Sequence, residues 1–249
     1  MKKHIKKVVK WIKEQPIQGC ITGSCMIGYF DNQDVDVFVY DEKSFNKILY
    51  AMEYNKDFQI LDPLEKWKYD QYMTKNNDNF YKFGLITIKF TYNTCVDVNI
   101  ILKKKCFNIF SVLETFDMDI IAKGYDIETK QFLDLSEKRG DKVVTWNKWN
   151  PVFYSSEVWQ ISRVLRQLER CFKYYKRGYN VDEVVKKYIS LIEEIQNYTN
   201  IFSSESYTEQ LKVRKDNTKI VKQICIKWLE THVITDEQIE LLKLKIREI

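Results

Sequence analysis

Two aspartates one residue apart carry the most evident chemistry of the chain, in the run Asp34-Val35-Asp36-Val37-Phe38-Val39-Tyr40. Its alternation and β-branched content read as a strand, and on a strand positions two apart share a face. Two carboxylates held side by side repel unless they take up a divalent cation. A third acid, Asp97, stands alone in the apolar run Cys95-Val96-Asp97-Val98-Asn99-Ile100-Ile101. An acid is seldom placed in such a strand without a partner. With the two strands side by side, Asp34, Asp36 and Asp97 form one cluster. Such a cluster holds two Mg²⁺ or Mn²⁺ ions about 3.5–4 Å apart and stabilises in-line attack on a phosphorus. Upstream, Gly23-Ser24 follows a short apolar element. A glycine–serine turn opening a helix offers backbone N–H groups and a hydroxyl to a phosphate.

Each of these features has a plainer reading. Asp34 would then cap the turn after Asn32, and Asp36 and Asp97 would pair with lysines. Gly-Ser alone, or Asp-x-Asp alone, says little; the ordered combination in strand context is what points to a metal site.

The elements that must position these residues are legible in outline. Ile5, Val8, Val9 and Ile12 recur at helical spacing over residues 3 to 14, and Pro16 stops that helix. A short apolar element at 20–22, the strand 34–40, a helix over 42–54 and a short strand over 58–61 follow. The spacing predicts two further strands, 85–92 and 95–102, joined by a tight turn around Asn93. Residues 107–123 read as helical or irregular, and the polar stretch 126–150 as surface chain. After Pro151 the pattern becomes helical throughout. One helix runs from 157 to Gly178, a C′ glycine. A second begins at Asn180 with Glu183 three positions on. A third covers roughly 207–231, and a last opens at Thr235 with Gln238 completing a capping box. The expectation is an α+β catalytic domain over residues 1–150 and a helical domain over 151–249.

In its ordered elements (Gly23-Ser24, a spacer, Asp34-x-Asp36 between apolar residues, and Asp97 on a later strand) the sequence resembles the DNA polymerase β-like nucleotidyltransferase superfamily. The match covers roughly residues 17 to 102. The resemblance implies a small mixed sheet flanked by helices, with Gly23 and Ser24 holding an NTP's triphosphate. It implies that Asp34 and Asp36 ligand both metal ions. Asp97 would ligand the catalytic one and help activate the acceptor hydroxyl.

Outside that segment, Arg163, Arg166 and Arg170 share a stripe with Lys173 and Arg177 near the face opposite an apolar stripe of the 157–177 helix. They read either as a phosphate- or nucleotide-facing surface or as a solvated helix face. Lys103-Lys104-Lys105 and Lys89 carry the same ambiguity. Asp117 and Asp119 form a second Asp-x-Asp pair without strand context, so turn or capping hydrogen bonds are the expectation.

Composition narrows the classes. At 249 residues with 45% hydrophobic and 14% aromatic residues, the chain is globular rather than disordered. Its 7 Gly and 3 Pro disfavour a turn-rich all-β architecture. The net charge of +5 is compatible with nucleic acid partners. Six cysteines without a CxxC spacing, beside only His4 and His232, exclude an ordinary zinc site and histidine-based catalysis. No signal peptide or membrane span is expected, so the protein is read as cytoplasmic. The sequence thus predicts transfer of a nucleoside monophosphate from an NTP to a hydroxyl, with an RNA 3′ end as acceptor. The alternatives are nucleotidylation of a protein or small molecule, and a non-catalytic binding module.

Overall fold

Val35, Val37 and Val39 on one strand, and Val96, Val98, Ile100 and Leu102 on its neighbour, all project to the same side of a sheet. Strand alternation dictates that sharing, and it fixes where the core lies. The computed structural model describes residues 2–28, 33–61, 80–103, 105–136, 142–149, 168–201 and 208–247. The chain divides into two compact units, Met1–Ser136 and Glu137–Ile249.

In the first unit the described strands are β1 (Gly19–Thr22), β2 (Val35–Val39), β3 (Gln59–Leu61), β4 (Phe80–Thr91), β5 (Thr94–Lys103), β6 (Lys123–Asp126) and β7 (Phe132–Asp134). They form one mixed sheet in the order β3-β4-β5-β2-β1-β6-β7. Only β2 and β5 run parallel; the other neighbours are antiparallel. Helices α1 (Lys2–Lys13) and α2 (Glu42–Glu53) cover the valine-rich side with Ile5, Val8, Ile12, Phe45, Ile48 and Met52. Each such side chain, fully buried, contributes about 1.5–3 kcal/mol relative to exposure. The Asp41 carboxylate caps α2 by accepting from the Ser44 N–H at 2.6 Å. The opposite side of the sheet carries Cys20, Phe38, Phe83 and Ile101, packed with Val112 of the short α3 (Ile109–Leu113).

The α+β class and helical C-terminal region expected from the sequence are what the fold shows. Several boundaries differ. β4 begins at Phe80 rather than 85 because its first residues pair across to Leu102 and Lys103 of β5. The polar stretch from 126 is not all surface chain. There β6 and β7 extend the sheet past β1, and Asp126 is buried, accepting from the Tyr40 hydroxyl at 2.7 Å.

The second unit contains α4 (Leu168–Lys176), α5 (Asp182–Ile201), α6 (Thr208–Thr231) and α7 (Asp236–Arg247). Trp228 of α6, 1% exposed, packs edge-on against Phe172 and Tyr175 of α4. Gly178, at φ 85°, ends α4. Its N–H bonds to Tyr175 O while Tyr179 N–H reaches back to Tyr174 O, satisfying two carbonyls of the last turn. Asn180 accepts from the Asp182 N–H just ahead of α5, so that helix starts two residues later than the sequence pattern suggested. At α7 the capping box forms in both directions: Thr235 N–H to Gln238 Oε1 at 2.9 Å, and Gln238 N–H to Thr235 Oγ1 at 3.2 Å. Among the described residues no helix is long and apolar enough to cross a membrane.

Candidate active site

Parallel pairing of β2 with β5 sets Asp36 directly beside Asn99 and Val35 beside Val98. Continued one residue back, the same register sets Asp34 level with Asp97. All four polar residues therefore lie on the face opposite the valines, at the start of β2 and in the middle of β5. On β1, Thr22 stands across from Asp36, and Gly23 and Ser24 follow at the end of that strand.

The two carboxylates of β2 meet at one amide. Asn99 Nδ2 donates to Asp36 Oδ1 at 2.8 Å and to Asp34 Oδ2 at 3.2 Å. Two unit charges roughly 5 Å apart at an effective dielectric of about 20 repel by about 3 kcal/mol. The Asn99 amide offsets part of that cost with two charge-assisted hydrogen bonds. Sequence reasoning missed this residue. Its signal was present in the alternation, since Asn99 stands two positions after Asp97 as Asp36 does after Asp34, but an amide carries no charge to draw notice. Asn99→Ala leaves the pair unbridged and is expected to lower stability by about 1–3 kcal/mol in chelator. Added Mg²⁺ or Mn²⁺ restores more of the melting temperature in the variant than in the wild type. Equal melts for both proteins in chelator and in metal would contradict this role.

Gly23 touches the same carboxylate from the other side. Its φ is 78°, and a Cβ built there would stand 2.6 Å from Asp36 Oδ2. Only glycine combines that backbone conformation with that approach. The Ser24 hydroxyl, buried, accepts from Gln33 Nε2 at 2.9 Å, which leaves its own proton to donate. Residues Gly23–Met26 form a single 3-10 turn. The helix expected to open at Gly23-Ser24 is this one turn, too short to carry a full helix dipole. What remains for an anion is the local backbone and the Ser24 hydroxyl.

Asp97, exposed on β5, accepts from the Thr87 hydroxyl of β4 at 2.6 Å. Its carboxylate is turned toward β4, away from the Asn99 amide that joins the other two. Among the described residues no three His, Cys, Asp or Glu side chains stand close enough to hold a metal ion together. The fit to a cation therefore rests on Asp34 and Asp36. One observation favours a polar guest beside them: Thr22 Oγ1, fully buried and level with Asp36, finds no hydrogen-bond partner among the described residues. At Gly23 the Asp36 carboxylate itself occupies the place a Cβ would take. Mg²⁺ suits such a donor set, since it is commonly bound by one or two carboxylates together with substrate phosphates.

Cys25 is adjacent but inert. Burial, then the nearby Asp36 and Asp34 charges, push its thiol far above the ordinary range, and it donates to Thr22 O at 3.1 Å.

Arg163 and Arg166 lie outside the described residues, as does Lys104. Arg170 is a half-buried residue of α4 in the second unit. Lys103 ends β5 six residues beyond Asp97, roughly 20 Å along an extended chain, and its ammonium lies over the Phe38 ring at 5.4 Å. Asp117 is buried and accepts from the Met118 N–H, and Asp119 opens a 3-10 turn, as turn chemistry predicted.

No protein-family model matches the chain, and no curated protein matches it. Solved structures that it resembles include two enzymes. One is the Thermotoga maritima CCA-adding enzyme complexed with tRNA, at 11% identity and a TM-score of 0.38, covering 96% of this chain and 66% of that one. The other is a tRNA-processing enzyme complex, at 12% identity and a TM-score of 0.35, covering 99% of this chain and 74% of that one. The chain thus spans just under two thirds of the length of the first.

Proposed function

We propose that this chain is a Mg²⁺- or Mn²⁺-dependent nucleotidyltransferase that moves a nucleoside monophosphate from an NTP to a hydroxyl, with an RNA 3′ end as acceptor. The observation that carries this reading is the gathering of Asp34 and Asp36 on one amide, with Gly23 kept free of a side chain against Asp36.

In this reading Asp34 and Asp36 hold the cations, and Asp97 contributes from the parallel strand. Bound divalent ions neutralise the triphosphate and polarise the phosphorus under attack. The acceptor oxygen forms its bond to the α-phosphorus as the bond to the bridging β-phosphate oxygen breaks, and pyrophosphate leaves. The acceptor's proton passes to a carboxylate, and Asp97 is the one whose Oδ2 takes no part in the Thr87 bond. Exchange of that bond for one to the acceptor hydroxyl turns Asp97 into a general base without moving its strand. Ser24 donates its hydroxyl to a phosphate oxygen. Arg163, Arg166 and Arg170 supply charge for the triphosphate or the RNA backbone.

The test is incubation with each labelled NTP, Mg²⁺ or Mn²⁺, and either total RNA or cell extract. Label in RNA supports the reading. Label in protein or in a small molecule instead moves the acceptor to that class. No label in any fraction contradicts transfer altogether and leaves a binding module.

A further inference from the structure

The side of the first unit away from the acids is built from α1 and α2, both packed on the valine face of the sheet. Their outer surfaces differ from an ordinary solvated layer in two respects. Helix α1 carries six lysines and no acid in twelve residues, and Lys2, Lys3, Lys6 and Lys10 are all exposed. On α2 and the residue that caps its end, Lys43, Lys47, Tyr50 and Tyr54 follow one another at spacings of four, three and four, so they form one stripe. Tyr50 and Tyr54 are 63% and 64% exposed, and their rings lie against each other, tilted by 35°, with centroids 4.3 Å apart. Glu42 and Glu53 lie to the flank of that stripe by the helical period.

Each helix is tied to the chain that follows the other. Lys7 of α1 pairs with Asp57, beyond the end of α2, at 3.6 Å, and Trp11 of α1 packs edge-on against Phe58. Lys47 Nζ of α2 donates to Pro16 O, beyond the end of α1, at 2.9 Å, and residues around Gln15 and Lys43 line one open cavity. Lysines and an exposed aromatic pair thus occupy the outer side of a single layer.

We infer that this layer binds a single-stranded polynucleotide, with the lysines of α1 along its phosphates and the Tyr50–Tyr54 pair as a platform for a base. Charge complementarity selects a polyanion. The exposed ring pair selects one with flat faces to stack, because every base has one. A membrane surface fits less well, since the apolar side of α1 (Ile5, Val8, Val9, Ile12) is committed to the core and has nothing to insert. The inference rests on none of the metal chemistry proposed above.

Anisotropy of a labelled short RNA, measured without NTP or divalent cation, tests it. Wild-type affinity should fall as salt rises from about 50 to 200 mM, with a slope of about −0.7 per phosphate contact. Replacing Lys3, Lys6 and Lys10 together with Glu should cut affinity more than about tenfold and flatten that slope. Tyr50→Ser with Tyr54→Ser should weaken binding about fivefold or more and leave the slope unchanged. All five positions are exposed, so unchanged melting separates lost contact from lost fold. Absence of wild-type binding at low salt, or variants that bind as the wild type does, would overturn the inference. So would preference for phosphatidylserine vesicles over RNA. Because no cation or NTP is present, failure here leaves nucleotidyl transfer standing, and failure of transfer leaves this surface standing.

Discussion

Asp36→Asn is expected to cut nucleotidyl transfer roughly a thousandfold, the rate equivalent of the several kcal/mol a catalytic metal site supplies, while the protein melts no lower than the wild type. The two halves of that result have separate causes. The substitution conserves shape, so the new side-chain amide can still accept from Asn99 through its carbonyl oxygen. Removing one of two neighbouring negative charges also relieves repulsion that Asn99 only partly offsets. Stability therefore holds or rises. Catalysis falls because an amide is a poor ligand for a hard cation and the donor set loses a charge. A stable site that is costly to keep charged is the signature of function rather than of packing. Transfer assayed alongside thermal melts checks both halves. Retained transfer, or a large drop in melting temperature, contradicts the role given to Asp36.

Gly23→Ala is the substitution with the largest expected cost to stability in the first unit's site. At φ 78° an alanine pays about 1–2 kcal/mol of backbone strain before it touches anything. Its Cβ would then meet Asp36 Oδ2 at 2.6 Å, a distance no real contact sustains. Either the 3-10 turn shifts or Asp36 swings away and gives up its 2.8 Å bond from Asn99, which adds about 1.5–3 kcal/mol. The total is roughly 2.5–5 kcal/mol, read as a fall in urea midpoint at constant slope. Combining Gly23→Ala with Asp36→Ala separates the two terms, because the clash vanishes and only the strain remains. The double variant should be less destabilised than the sum of the singles. Strict additivity would mean that Gly23 and Asp36 do not press on each other.

The carboxylates and their strand context were legible because alternation is a local property. Asp34, Asp36 and Asp97 each announced a face, and parallel pairing of β2 with β5 then put those faces together. What was illegible depends on partners far along the chain. The orientation of the Asp97 carboxylate is set by Thr87 on β4, and no local pattern around Asp97 contains that hydroxyl. The early start of β4 and the existence of β6 and β7 are likewise decided by pairing. Lys123-Gly124-Tyr125-Asp126 has little strand propensity of its own and is extended because β1 offers it an edge. The helix read after Gly23-Ser24 is a single 3-10 turn over Gly23–Met26, with the poor helix former Gly28 two residues on.

The proposed chemistry stands on Asp34 and Asp36 holding divalent cations in the presence of a nucleoside triphosphate. Titration of Mn²⁺ into the full chain with a non-hydrolysable NTP analogue, following the free ion by electron paramagnetic resonance, measures this without relying on turnover. The wild type should deplete the free-ion signal saturably, and Asp34→Asn and Asp36→Asn should each leave it close to that of the analogue alone. A wild-type curve that tracks the analogue alone, or variants that take up Mn²⁺ as the wild type does, would contradict it.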